Sequence, residues 1–209
     1  MNETANENGT LYIVSAPSGA GKTSLLKALL EDAKGIALSI SHTTRDKRPG
    51  EQDGVHYHYV DKSTFEQMVA DAAFLEHAQV FDNYYGTAQA AVMAQLDSGQ
   101  DVILEIDWQG AQQVRKHFPQ AVGIFILPPS KAALRERLTD RGQDDTAIID
   151  RRMRDAEAEM SHYHEFDFVV VNDDFELALV ELRAIIRSQR LTISRQQISL
   201  QGLIKELLG

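Results

Sequence analysis

The residues of this chain best suited to chemistry come early. In "LYIVSAPSGAGKTSLLKALL", residues 11–30, an apolar run breaks into small residues and then resumes with a helical pattern. Gly21, Lys22 and Thr23 match the end of a phosphate-binding loop, which usually opens on glycine; here the opening position is Ala16. Gly19 and Gly21 permit backbone geometries closed to other residues, and an alanine is tolerated at Ala16 if φ there is negative. Successive N–H groups and a helix N-terminus facing an anion, a Lys22 point charge and a Thr23 hydroxyl for Mg²⁺ would make a nucleotide-phosphate cradle. The competing reading is a glycine-rich turn beside a surface lysine.

Two further groups could serve the same site. "DVILEID" carries Glu105 and Asp107 at the end of a buried strand, where the two share a face; one could hold Mg²⁺ through water while the other faces a substrate. Arg45 and Arg48 lie three apart before Pro49-Gly50, and planar guanidiniums with the hydroxyls of Tyr57, Tyr84 and Tyr85 suit a second phosphate. Alone, two arginines beside a turn are usually solvated charges. The pairs His56/His58 and His162/His164 are weak metal candidates, and Trp108 and Phe118 are expected in the core.

The elements that must position these residues follow from apolar patterning. Strand-like runs at Leu11–Ser15, Ala37–Ile40, Val102–Ile106, Val122–Leu127 and Phe168–Val171 are mostly continuous, as in strands covered on both faces, and helical stretches lie between most of them. That alternation predicts an α/β domain with a largely parallel sheet. Residues 43–87 break the pattern and read as an insertion: "VHYHYV" alternates, "STFEQMVADA" opens with a Ser63/Glu66 capping box, and "FDNYYGT" is turn-rich. Residues 140–150 are polar between two helical stretches.

Composition bounds the rest. With 209 residues, 43% hydrophobic and 25% charged, the chain has material for one sizeable core. A net charge of −10 argues against non-specific binding to nucleic acid or an anionic membrane, so an anionic ligand must meet a local basic cluster. Zero cysteines exclude thiolate metal sites and cysteine nucleophiles. A polar start and no long apolar run predict a soluble, cytoplasmic protein with about ten loose leading residues.

Taken in order, "APSGAGKT", "SHTTRDKRPGEQDGVHYHYV", "FLEHAQVFDNYYGT", "VILEIDWQG", "FILPPS", "RLTDRG" and "VVVNDD" resemble the guanylate kinases from about Leu11 to Arg190. The resemblance implies a phosphate-loop NTPase-type parallel sheet flanked by helices, with a small nucleoside-monophosphate-binding insertion and a lid. It implies ATP as donor, GMP as acceptor and Mg²⁺ as cofactor. It places the loop residues Ala16, Pro17, Ser18, Gly19, Ala20, Gly21, Lys22, Thr23 and Ser24 on ATP, with Asn172 beside the adenine. Ser41, Glu76 and Asp107 would contact guanine; Arg45, Arg48, Tyr57 and Tyr85 would hold the GMP phosphate, with Thr87 a weaker candidate. Thr23 and Glu105 would organise Mg²⁺. Lys22, Arg45, Arg137, Arg141 and Arg152 would act on the transferring phosphoryl group. The implied layout is a flexible 1–10, a kinase domain 11–190 (core 11–42 and 88–190, insertion 43–87, lid about 137–152) and a C-terminal helix over 191–209. In that last segment Leu200, Leu203, Ile204 and Leu207 form a stripe that docks on the chain's own core or on another subunit. A kinase of the same architecture acting on another nucleotide, and a protein-binding scaffold, are the alternatives. Scaffold domains of this kind typically lack an intact phosphate loop, which this chain keeps.

Overall fold

The computed structural model describes residues 8–80, 82–140 and 146–209. Five strands, β1 (Leu11–Ser15), β2 (Ile36–Leu38), β7 (Asp101–Glu105), β8 (Val122–Leu127) and β9 (Phe168–Val171), form a parallel sheet in the order β2-β7-β1-β8-β9. Alternate side chains feed two cores. Tyr12, Val14, Ile103, Ile124 and Ile126 pack with Leu25, Leu26 and Leu29 of α1 (Lys22–Asp32) and with Ala178, Leu182 and Ile186 of α7 (Phe175–Arg190). Leu11, Ile13, Val102 and Leu104 pack on the other face with Val92 and Leu96 of α3 (Gln89–Asp97) and Ala111 and Val114 of α4 (Trp108–His117). Burial on both faces explains why these strands read as continuous apolar runs. β1 lies between β7 and β8, whose neighbours run outward in opposite directions, so the crevice at the carboxyl ends of β1 and β7 is where such a sheet takes a ligand.

The insertion is a second, four-stranded sheet, β4-β3-β6-β5, built from β3 (His42–Thr43), β4 (His58–Tyr59), β5 (Phe74–Val80) and β6 (Asn83–Ala88), with α2 (Lys62–Ala70) packed on β5. "FDNYYGT", expected as a turn, is mostly strand β6: Tyr84 and Tyr85 pair with Gln79 and Ala78, and Phe65 packs against Phe74 and Tyr84. The Ser63/Glu66 box does not form either. Asp61 caps α2 by accepting from the Thr64 N–H, Ser63 donates its hydroxyl to Asp61, and Glu66 pairs with Lys62. A carboxylate two residues earlier caps the helix with a charge-assisted bond, so the helix starts before Ser63 and leaves the serine inside its first turn.

Helices α5 (Lys131–Asp140) and α6 (Thr146–Met160) pair through a small core of their own, Leu134, Leu138, Ile149, Met153 and Ala156. The C-terminal segment, expected as one helix, is two: α8 (Ile193–Ser199) and α9 (Gln201–Leu208), separated at Leu200. Ile193, Leu203, Leu207 and Leu208 are exposed. Of the supposedly loose leader, Gly9 N–H bonds the Leu96 carbonyl and Thr10 N–H bonds Asp101. Buried Asp101 also takes Arg190 and Arg195, each within 2.8 Å, and thereby ties Thr10 and the α7–α8 segment to the foot of β7. Trp108 is half-buried, not in the core, and stacks on His162 with ring centroids 3.6 Å apart; Phe118 packs at the core's margin.

Candidate active site

A cavity of about 300 Å³ opens where β1 and β7 end and the insertion's sheet leans over them. One wall is the loop after β1. Gly19 and Gly21 have φ of 94° and 91°, and α1 starts at once with no side chain capping it. Its leading amides are therefore free to meet an anion. Ala72 is the one non-glycine residue of positive φ among the described residues, so Ala16 keeps an ordinary conformation as expected. A methyl group at Gly19 would lie 2.9 Å from Leu138, so the loop is also closed from behind by α5. Asn172, just past β9, donates to the Ala20 carbonyl at 2.7 Å and supports the loop from below.

Lys22 donates to the Ile106 carbonyl, and the Thr23 hydroxyl donates to Glu105 at 2.6 Å. Glu105 and Asp107 do not share a strand face. The strand ends at Glu105, and Asp107 caps α4 by accepting from the Gly110 N–H at 2.8 Å. The turn through Ile106 aims Glu105 at the loop, and the cap leaves Asp107 facing the second sheet.

The far wall carries the base-reading candidates. Glu76, 3% exposed, accepts the Thr87 hydroxyl at 2.5 Å, and the Thr87 and Ser41 hydroxyls are 3.4 Å apart. Thr87, expected as a weaker candidate for the GMP phosphate, thus sits with Ser41 and Glu76. α4 fixes this wall to the core: Gln113 exchanges two hydrogen bonds with the His77 backbone, and a Cβ at Gly110 would lie 2.6 Å from Glu76 Oε2. Burial pushes the Glu76 carboxyl up to about 7; the Thr87 bond opposes this and the Asp107 charge adds to it.

Tyr57 and Tyr85 line the cavity between these walls, with rings 5.9 Å apart. Burial and then the Glu105 charge push Tyr57 up to about 12, so its hydroxyl stays a donor. Arg45 is held by Glu51, with contacts of 2.7 and 3.0 Å, below the rings of Tyr57 and Tyr59. Glu51 also accepts from Arg48 N–H and the Tyr59 hydroxyl, and the Arg45 bond is the main cause holding its carboxyl down at about 2. Glu51 and Tyr59 were missed in the sequence, although Glu51 lies three residues beyond Arg48. The Arg48 side chain is exposed.

Of the three expected lid arginines, Arg152 donates to the Ser18 hydroxyl at 2.7 Å, and Arg137 donates to the Asn172 carbonyl at 2.9 Å with its other terminal nitrogen buried. Arg141 lies outside the described residues. The cavity is also lined by Ala78, Val80 and Ile106, and by a fourth acid, Glu159, beside Glu76, Glu105 and Asp107. Among the described residues no group of three or more histidines and acids is placed to hold a metal ion, at His56/His58 or His162/His164 as elsewhere, and no helix is long and apolar enough to cross a membrane.

A phosphate loop on a parallel sheet, facing across one cavity a second sheet with buried hydrogen-bonding side chains, defines a phosphate-loop kinase of small nucleotides. The guanylate kinase family model matches residues 8–189. A guanylate kinase of Chromohalobacter salexigens is 62% identical over 96% of this chain and 94% of its own, and one of Alkalilimnicola ehrlichii is 58% identical over 96% and 99%. The crystal structure of guanylate kinase from Anaplasma phagocytophilum superposes with a TM-score of 0.76 at 32% identity, covering 91% of this chain and 90% of that one. The chain belongs to the guanylate kinase family, enzymes that phosphorylate GMP from ATP.

Proposed function

We propose that the cavity runs the reaction ATP + GMP → ADP + GDP, with GMP under the small sheet and ATP on the phosphate loop. The observation that carries this is the group of buried Glu76 and Thr87 with half-buried Ser41, set across the cavity from Lys22 and Thr23. Guanine offers donors at N1 and its 2-amino group and an acceptor at O6, which a carboxylate and hydroxyls match. Asp107 faces the same end. Tyr57, Tyr85, Arg45 and Arg48 take the GMP phosphate, for which Arg45 exchanges part of its pairing with Glu51.

The amides of residues 16–24 and Lys22 take the ATP phosphates, and Asn172 lies toward the adenine. Thr23 and Glu105 fit Mg²⁺: they present hydroxyl and carboxylate oxygens side by side, and Mg²⁺ uses one or two such ligands together with phosphates and water. Four carboxylates against one lysine also leave the cavity short of positive charge for two anionic nucleotides. Bound there, Mg²⁺ would neutralise charge on the transferred group. Lys22, Arg45 and Arg152 stabilise the same charge from the protein side, and the α5–α6 pair acts as the lid that brings Arg152 in. Arg137, held on Asn172, serves the donor's adenine side as well as the lid. No covalent intermediate or strong base is needed, because the acceptor is already a phosphate oxygen.

Lys22→Met tests the loop. It should keep the fold and lower kcat by orders of magnitude, while near-normal turnover by the folded variant would defeat the assignment. The absence of cysteine and the net charge of −10 fit a cytoplasmic enzyme that does not bind nucleic acid. The exposed leucines of α9 fit self-association, which truncation after Arg195 followed by light scattering would check.

A further inference from the structure

Two side chains of α6 converge on one residue of the phosphate loop. Arg152 gives a hydrogen bond to the Ser18 hydroxyl, and Glu159 accepts the Ser18 backbone N–H at 3.2 Å. Positions 152 and 159 are two helical turns apart and lie on one face of α6. Within the loop, the Ala20 N–H bonds back to the Pro17 carbonyl, whereas the Ser18 N–H bonds outward to an acid from a helix 141 positions away in sequence. The Glu159 carboxylate lies inside the cavity, on the wall that also holds Lys22. Burial raises its pKa, opposed by the Ser18 bond and the Lys22 charge and aided by Asp107 and Asp155. Uncapped loop amides and a lysine attract a carboxylate for the reason they attract a phosphate.

We propose that Glu159 is a protein-borne stand-in for the donor's phosphate: its carboxylate competes with ATP for the loop, and ATP binding displaces it. This rests on the reading of the loop as the ATP site. Two anions cannot share the Ser18 N–H and the Lys22 field without a large like-charge cost, so the carboxylate must move or take up a proton as phosphate arrives. Displacement also loosens α6. The α5–α6 pair has its own core and meets the loop through Leu134 and Leu138 against Gly19 and through the two bonds at Ser18. Breaking the Glu159 bond leaves Arg152 as the remaining α6 bond to Ser18, and Arg152 then exchanges that hydroxyl for phosphate oxygens. The competing anion therefore costs donor affinity and in return keeps Arg152 on the Ser18 hydroxyl until ATP is bound. Glu159 is a positioning residue and touches no reacting atom.

The test is equilibrium titration of Mg-ATP, without GMP, into wild type, Glu159→Gln, Glu159→Ala and Lys22→Ala. Glutamine keeps an acceptor for Ser18 N–H and removes the charge, and a thermal melt verifies its fold. Both Glu159 variants should bind ATP more tightly, by roughly three- to tenfold, the difference between a charge-assisted and a neutral hydrogen bond, with Kd for GMP unchanged. If Glu159 merely supports the loop, Ala weakens ATP binding and Gln restores it; that result, or an unchanged Kd in the Gln variant, overturns the proposal. Should Ala fail to fold, the sign of the change in Gln decides alone. Lys22→Ala should lose most ATP affinity. Wild-type affinity there would overturn the loop reading itself, whereas lost affinity there without tightening in Gln overturns the Glu159 proposal only.

Discussion

Glu76→Gln is the perturbation that separates base reading from phosphate holding. The carboxylate is 3% exposed, one oxygen takes the Thr87 hydroxyl, and the other lies over Gly110 at the cavity's wall. Glutamine fits the same space. Its amide can face Thr87, because the Thr87 hydroxyl can turn its proton to Ser41, 3.4 Å away, and accept instead. What is lost is charge. A hydrogen bond to a charged group is worth about 1.5–3 kcal/mol against about 0.5–1.5 for a neutral one, a loss of about 1–1.5 kcal/mol for each of guanine's N1 and 2-amino donors, so kcat/KM for GMP should fall roughly ten- to a hundredfold, with KM for ATP little changed. The pH profile adds a second readout. Guanine requires the ionised carboxylate, so kcat/KM for GMP should fall as pH drops through about 7, and the glutamine variant should lack that limb. The GMP phosphate titrates in both proteins and cancels in the ratio. Stability runs the other way. A carboxyl raised in the fold contributes stability that is full below its ordinary value and is lost as pH rises through about 7. Steady-state kinetics from pH 5.5 to 8.5 on both proteins is the assay. A variant with wild-type kcat/KM, or a wild-type-to-variant ratio that stays flat across that pH range, would refute the reasoning.

Gly110→Ala should lower kcat/KM for GMP about tenfold or more and leave ATP binding intact, because the new methyl group meets Glu76 Oε2 at 2.6 Å; coupled-assay kinetics with each substrate varied would show it. Asp101→Asn should lower stability by about 3 kcal/mol and Tm by roughly 6–12 °C, since a buried carboxylate holding two guanidiniums and the Thr10 N–H is replaced by a neutral group. The site lies at the opposite end of β7, so kcat/KM at 25 °C should hold; calorimetry with parallel kinetics checks both.

What could be read from sequence was what is local. The phosphate loop needs a strand, two positive-φ glycines and a helix within twenty residues, and all three lie side by side in residues 11–30. The parallel sheet was legible because burial on both faces leaves unbroken apolar runs. Strand β6 was not, since Asn83, Gly86 and the tyrosines between them look like a turn until β5 pairs with them. The cap of α2 was missed by attending to Ser63 when Asp61 stands two residues earlier. Most of the base-reading group came from the family resemblance, because Ser41, Glu76 and Thr87 lie in three separate strands or loops that only the insertion's sheet brings together. Glu159 left a faint signal: it and Arg152 flank the Ile149, Met153, Ala156 stripe at helical spacing, on the side that meets the rest of the protein. Nothing local names its partner Ser18.

Acceptor choice tests the guanine-reading group most directly. With ATP as donor, initial rates should be measured for GMP, AMP, CMP and UMP in one coupled assay. A buried carboxylate facing N1 meets a proton in GMP and a lone pair in AMP, and a site built to hydrogen-bond its substrate rejects an analogue lacking the partner by roughly 10⁴–10⁵. The expected result is turnover of GMP with kcat/KM for AMP lower by about that factor; comparable rates with GMP and AMP would contradict the assignment of Glu76, Thr87 and Ser41 as the guanine-reading group.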